Sequence, residues 1–351
     1  MFKSKTLFIV GAGASQEAGL PTGAELKQNI AQRLDIRYDP FSSPHSPKSG
    51  DLAIASAIVE YAKAKNTDPN LFLEGAWKIR DAMSQAISID NFMDAHSSDP
   101  GVVLCGKLGI TQAILEAEQK SKLYCDDKPG ANQKLDHNKI IGTWYLPFFQ
   151  LLTENVRKEE ITSLFDNVSF ITFNYDRCIE HYLFHALQNY YSISDHEATQ
   201  LMAKLTVSHP YGAVGYLLWD YRKPGIYFGG KRRDHSLLVV AGQIKTFNER
   251  VEDDDATLSV IRRQVQEAKT MIFLGFAFHE LNMQLLTLKE SSNVERVFGT
   301  TLGISDMDVK LIIQSIVDML KRRAHSPEIS IQNPFQCQQL FEKYWRTLTR
   351  E

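Results

Sequence analysis

A strand that stops at closely spaced glycines and gives way to a helix can grip a phosphate, and residues 8–23, FIVGAGASQEAGLPTG, have that form. The apolar run Leu7–Val10 predicts a buried strand. Gly11 and Gly13 follow at once, Ser15 is small and polar, and a helix is expected from Ala24. Such a turn aims backbone N–H groups and the positive end of a helix at an anion. Glycine suits it because a Cβ would hold the backbone away from a pyrophosphate. A glycine-rich turn that only packs would look the same. Spacing narrows the choice: a dehydrogenase fingerprint needs G-x-G-x-x-G, but position 16 is Gln, and no Gly-Lys-Ser/Thr run supplies a P-loop.

Three later segments carry further chemistry. Residues 167–176, NVSFITFNYD, predict a strand over Val168–Phe173, apolar on both faces and therefore central in a parallel sheet. It ends in Asn174 and Asp176, before the helical run CIEHYLFHALQNYY. Open α/β sheets bind ligands at the carboxyl ends of their strands, although Asn and Asp also serve as plain helix caps. Next, VSHPYGAVG places His209 after a short strand at Leu205–Val207, with Gly212 and Gly215 close behind. Imidazole titrates near neutral pH and suits general-base work. A last strand, Thr270–Gly275, turns through FAFHELNMQLL into a helix, which puts Gly275, Phe276, His279 and Asn282 at its end. His279 fits a solvent-facing helix start equally well. A smaller element, Ser88-Ile89-Asp90-Asn91-Phe92, reads as a capped helix start that brings Asp90 near the pocket.

These segments need an α/β fold to position them: Rossmann-like, a mainly parallel sheet flanked by helices, with an inserted helical layer. Residues 51–122 show apolar residues at helical spacing in DLAIASAIVEYAKAK, EGAWKIRDAMSQAI and ITQAILEAEQKSKL. Another helix is expected over Ile140–Lys158. The stretches FSSPHSPKSG at 41–50 and CDDKPGANQKLDHN at 125–138 read as loops. The expected organisation is a catalytic domain over 1–290, a helical insertion at about 51–158, and a mostly helical extension over 291–351 packed on it.

Composition fits a globular enzyme: 351 residues, 43% hydrophobic and 23% charged. A net charge of −3 gives no electrostatic reason for direct nucleic-acid binding. No apolar run reaches membrane-spanning length. A strand begins almost at the N-terminus, so no signal peptide is expected and the chain reads as cytoplasmic. Cys105, Cys125, Cys178 and Cys337 lie far apart, without the paired spacing of a zinc ribbon, and no metal is expected.

The pattern GAGAS-x-x-x-G-x-P, with Gly11, Gly13, Ser15, Gly19 and Pro21, resembles the first NAD motif of the sirtuin family. T-F-N-Y-D resembles the family's T-Q-N-x-D, and the His209 segment resembles the one carrying its catalytic histidine. Ser88–Phe92 is similar to an S-I-D-x-F element of bacterial sirtuin-like proteins from antiphage defence systems. The resemblance implies that NAD is consumed as a substrate. Gly11, Ala12, Gly13, Ser15 and Pro21 would contact it, with Asn174 and Asp176 at the nicotinamide ribose and Gly275, Phe276 and Asn282 at the ribose or phosphates. Asn174 and His209 would be catalytic, with His209 as general base and Asp176 holding geometry. Missing are the zinc module and the D-F-R-like continuation after G-x-P, where Pro21-Thr22-Gly23 stands. That departure shifts the implied acceptor from an acyl-lysine to water. The chain then resembles the NAD hydrolases that deplete NAD in infected cells. Control by homo-oligomerisation or by a partner, a HerA-type ATPase or an Argonaute-like protein, is implied. A protein deacylase or ADP-ribosyl transferase, and a non-catalytic module binding NAD or ADP-ribose, are the alternatives.

Overall fold

The computed structural model describes residues 1–38, 47–125, 134–220, 225–230, 236–247, 249, 255–321, 326–331 and 334–349. Parts of the two expected loops, at 41–50 and 125–138, lie outside the described residues. β1 (Thr6–Val10) leads into a five-residue helix α1 (Ala12–Gln16) and then α2 (Gly23–Leu34). Thr22 caps α2, and Glu25 closes the capping box. A helical block follows: α3 (Leu52–Lys65), α4 (Asn70–Ala82), α5 (Ile89–Ala95) and α6 (Pro100–Lys120). Asp51, Ser88 and Asp99 accept the first free N–H groups of α3, α5 and α6.

α7 (Tyr145–Thr153) is shorter than the helix expected over Ile140–Lys158. Gly142 and Asn155, both at positive φ, bracket it and break the helical path at either side. After β2 (Val168–Thr172) come α8 (Cys178–Tyr191), α9 (Asp195–Met202) and β3 (Thr206–Ser208). The chain continues through α10 (Leu237–Ala241), α11 (Asp255–Glu267), β4 (Thr270–Leu274) and α12 (Glu280–Leu286). It ends with β5 (Arg296–Gly299), α13 (Asp306–Leu320), β6 (Glu328–Ser330) and α14 (Cys337–Thr349).

The six strands form one sheet in the order β3-β2-β1-β4-β5-β6, and every neighbouring pair is parallel. The fold is therefore Rossmann-like α/β. The path runs outward from β1 to β3, then returns to β4 on the other side of β1. In such sheets the crevice opens where the order reverses. Val10 stands in register with Thr172 on β2 and Leu274 on β4, so the three strands end at one level.

β1 is buried along its whole length. Leu7 and Ile9 face a core shared with α2 to α6, while Phe8 and Val10 face a second core with α7, α8 and α14. The residues between β1 and β2 thus cover both faces of the sheet: α2 to α6 lie on one side and α7 on the other. Residues after 290, expected to be a mostly helical extension packed on the catalytic domain, also extend the sheet through β5 and β6. Those strands are only four and three residues long, too short for period-two patterning to show. No helix among the described residues is long and apolar enough to cross a membrane.

Candidate functional site

The ends of β1, β2 and β4 meet in a tight backbone cluster. The Gly11 N–H donates to Leu274 O at 2.9 Å, and the Gly13 N–H donates to Gly275 O at 3.0 Å. A Cβ on Gly11 would stand 2.6 Å from Gly275 O, and one on Gly13 would stand 2.9 Å from Gly275 Cα. Gly275 itself sits at a φ of +54°, and a Cβ there would lie 2.1 Å from Ala14 N. The first two glycines were expected to clear room for a pyrophosphate. Their immediate work is to let two strand-end turns touch, and both of their N–H groups are spent on that contact.

A cavity of about 590 Å³ opens above this cluster. Of the residues expected to bind a ligand, Gly11, Ala12, Gly13, Pro21, Asn174, Asp176, Gly275, Phe276 and Asn282 all line it. Asp90, projecting from the start of α5, lines it too, as do His279 and Tyr175. Ser15 is not among the lining residues; it is buried and works behind the wall.

The Asn174 Nδ2 group donates to Gly11 O at 3.0 Å and to Ser15 Oγ at 2.9 Å. With both amide hydrogens given away, the amide oxygen is what Asn174 has left to offer a ligand. Asp176 accepts from the Cys178 N–H at 3.1 Å and hydrogen-bonds Ser15, so it fixes the start of α8. Burial pushes its carboxyl pKa up, against the hydrogen bonds from Ser15 and Cys178. Asn174, Ser15 and Asp176 are one interlocked unit.

His209 is placed beside the cavity and not in its wall. It lines an adjoining space of about 630 Å³, together with Glu180 and Arg177. Its Nδ1 faces the Asn174 carbonyl at 3.2 Å, and its Nε2 faces Glu180 Oε1 at 2.8 Å. Both ring nitrogens meet acceptors, which is the pattern of an imidazolium donating twice. Burial opposes that charge, but the Glu180 carboxylate and the Asn174 carbonyl outweigh it and hold the His209 pKa above its ordinary value. Glu180 carried no sequence signal of its own, because it lies in the first turn of a stretch read only as a helical run.

Two further contacts tie the helical block to the β2 end. Tyr175 donates its hydroxyl to Asp90 Oδ1 in a short hydrogen bond. Burial raises the Asp90 carboxyl pKa, with the Tyr175 bond acting the other way. Deeper in, Glu118 of α6 pairs with Arg177 at 2.5 Å, with side chains 0% and 2% exposed. Glu118 also accepts the Arg177 and Gly229 N–H groups, while Arg177 donates to the Tyr216, Ile226 and Tyr227 carbonyls. Neither residue was singled out from sequence. A Glu on an otherwise apolar helix face was the available signal.

The opposite wall is aromatic. Phe276 packs on Phe173 with ring centroids 5.1 Å apart, and Phe278 of the same turn adopts a positive φ of 55°. Non-glycine residues rarely hold that conformation, and it tends to cluster at ligand-binding turns. Asn282 accepts from the Tyr211 hydroxyl at 2.8 Å. The lining includes the carboxyls of Asp90, Asp94, Asp176 and Glu280 and, among the described residues, no lysine or arginine.

No protein-family model and no curated protein matches the chain. Among solved structures, it is similar to the crystal structure of a Sir2 homolog–NAD complex. The identity is 11% and the TM-score 0.39, over 99% of this chain and 91% of that one. A likeness at that level decides nothing about this chain's chemistry.

Proposed function

We propose that the chain is an NAD glycohydrolase that cleaves the nicotinamide–ribose bond. One observation carries the reading: a glycine turn, Asn174 and Asp90 converge on a single cavity at the switch point of a 3-2-1-4-5-6 parallel sheet, the place where such sheets take dinucleotides. The motif resemblance makes NAD a consumed substrate, with no hydride transfer.

The chemistry that suits these residues is loss of nicotinamide from C1′ and addition of water there, giving ADP-ribose and a proton. Positive charge builds on the ribose as the bond breaks. Carboxyls and an amide oxygen in a wall that, among the described residues, holds no lysine or arginine favour that charge by fixed electrostatics. Asn174 would place its amide oxygen on water or a ribose hydroxyl. His209 would act through Asn174, holding its backbone carbonyl while Glu180 holds the imidazole, and so serve as a positioning residue in this arrangement. A general-base role would require one ring nitrogen to give up its acceptor.

The biological role that fits is a regulated NAD-depleting effector in bacterial antiphage defence. Its control would come through self-assembly or through a partner such as a HerA-type ATPase or Argonaute-like protein. The test is to incubate the full chain with NAD, alone and with a candidate partner, and to quantify nicotinamide and ADP-ribose. Equimolar release of both is expected, with Asn174→Ala reducing it by roughly 100-fold. Full cleavage by Asn174→Ala, or no release under either condition, would overturn the reading. Transfer of the acyl group from an added acyl-lysine peptide to ADP-ribose, leaving free lysine, would turn it into the deacylase alternative.

A further inference from the structure

Away from the cavity, the segment after α6 and one face of α8 bring together three side chains with no part in the proposed reaction. The ligand-capable atoms of Cys125, His181 and His185 all lie within 4.8 Å of one another. We propose that these three residues form a binding site for a zinc-class divalent metal ion, one that staples the segment after α6 to α8.

Ligand type comes first. One thiol and two imidazoles are the donor set that borderline-soft metals such as Zn²⁺ prefer over hard ions. Placement follows from the helix: His181 and His185 are four residues apart on α8 and so project from the same face. Cys125 reaches that face from the segment after α6, with its Sγ 3.8 Å from His181 Nε2. Tetrahedral zinc, with Zn–S near 2.3 Å and Zn–N near 2.0–2.1 Å, sets its donor atoms roughly 3.3–3.6 Å apart. The cluster therefore needs closing by roughly 1.5 Å at most.

The site is also built to hold its rings. His181 stacks flat on Phe228, with centroids 3.9 Å apart and planes 5° from parallel, and His185 meets it at 67°. The first two ligands are buried and the third is half-buried. On binding, the Cys125 thiol releases its proton to solvent and the thiolate sulfur joins the metal. His181 Nε2, which faces Leu123 O at 2.9 Å, exchanges that contact for the metal. A fourth position is left for water.

The expectation of no metal rested on the wide spacing of the cysteines. It overlooked the H-x-x-x-H spacing at 181–185, which was legible in the sequence. α8 begins two residues after Asp176 and carries Glu180, so metal here would stiffen the helix that supports the proposed site.

The experiment uses the full chain stripped with a chelator, dialysed, and titrated with Zn²⁺ and separately with Co²⁺. One equivalent per chain is expected, with a raised Tm. Cobalt should give tetrahedral d–d absorption and a thiolate-to-cobalt charge-transfer band. Cys125→Ser should abolish the charge-transfer band, and His185→Gln should weaken binding at least tenfold with native circular dichroism. The proposal is overturned by absence of stoichiometric binding, by a charge-transfer band that survives Cys125→Ser, or by unchanged affinity in folded His185→Gln. Because the readouts are metal content, absorption and Tm, they stand whether or not the chain cleaves NAD.

Discussion

At the scale of single residues, hydrogen-bond polarity distinguishes a ligand-facing group from a scaffolding one. Asn174 gives both amide hydrogens to Gly11 O and Ser15 Oγ. Asn174→Asp would therefore set a carboxylate against a carbonyl oxygen, while Asn174→Ala only deletes the bonds. Asn174→Asp should lose about 1–3 kcal/mol of stability and be the less stable of the two in urea melts; the reverse order would contradict the donor assignment. His209 makes a pH prediction whose sign is fixed. Its pKa is raised in the fold, so its contribution is full below its ordinary value near 6.5 and disappears as pH climbs through the raised one. The stability gap between the native chain and His209→Gln should narrow as pH rises from about 6 to 9; a gap that widens would refute the doubly donating imidazolium. Asn174, Asp176 and the glycines were legible in sequence because strand-end motifs fix their level in the sheet. Whether Ser15 or His209 faces the cavity or lies behind it was not legible, since that depends on side-chain direction and on Glu180, a partner on α8, seven helices further along the chain than the α1 of Ser15.

Elements explain why those residues meet. β1, β2, β3 and β4 were readable from apolar runs that end in Gly, Asn or His, whereas β5 and β6 draw their order from pairing at the sheet edge and leave little trace in sequence. The turn after β1 also had two readings, phosphate grip and tight packing, and packing accounts for the contacts present. Gly13→Ala would drive a Cβ to 2.9 Å from the Gly275 backbone, so a loss of about 1–3 kcal/mol is expected. Gly23→Ala, at the first position of α2 with nothing within 4 Å of its new Cβ, should be neutral or gain up to about 1 kcal/mol. Thermal melts giving the two substitutions equal effects would refute the close-contact role. Glu118 and Arg177 belong to this scale as well, since they bind α6 to the β2 end. Removing one partner strands a buried charge: Glu118→Gln should cost about 3–5 kcal/mol. Equilibrium unfolding that shows less than about 1 kcal/mol would mean the pair is not desolvated as placed.

For the whole molecule, the cavity is a joint between layers. Its wall takes Gly11–Gly13 and Leu20–Gly23 from the stretch after β1, Asp90 from the helical block, Asn174 and Asp176 from the β2 end, and Gly275–Ala277 and His279–Asn282 from beyond β4. The Asp90–Tyr175 and Glu118–Arg177 contacts set how the helical block stands over the sheet. A shift of that block by even an ångström would move Asp90 relative to Asn174, and misplacement on that scale can cost roughly 100-fold in rate. An effector that must stay silent until needed can be governed through such a joint, with assembly favouring the closed geometry by its differential affinity for it. Under the proposed function, nicotinamide release per chain should therefore rise with protein concentration or on adding the partner, in step with the oligomer fraction seen by native mass spectrometry. Glu118→Gln, which loosens the block, should blunt that rise even where the variant still assembles. A monomer fully active at every concentration, with no response to Glu118→Gln, would show that the site is complete without assembly and that control lies elsewhere.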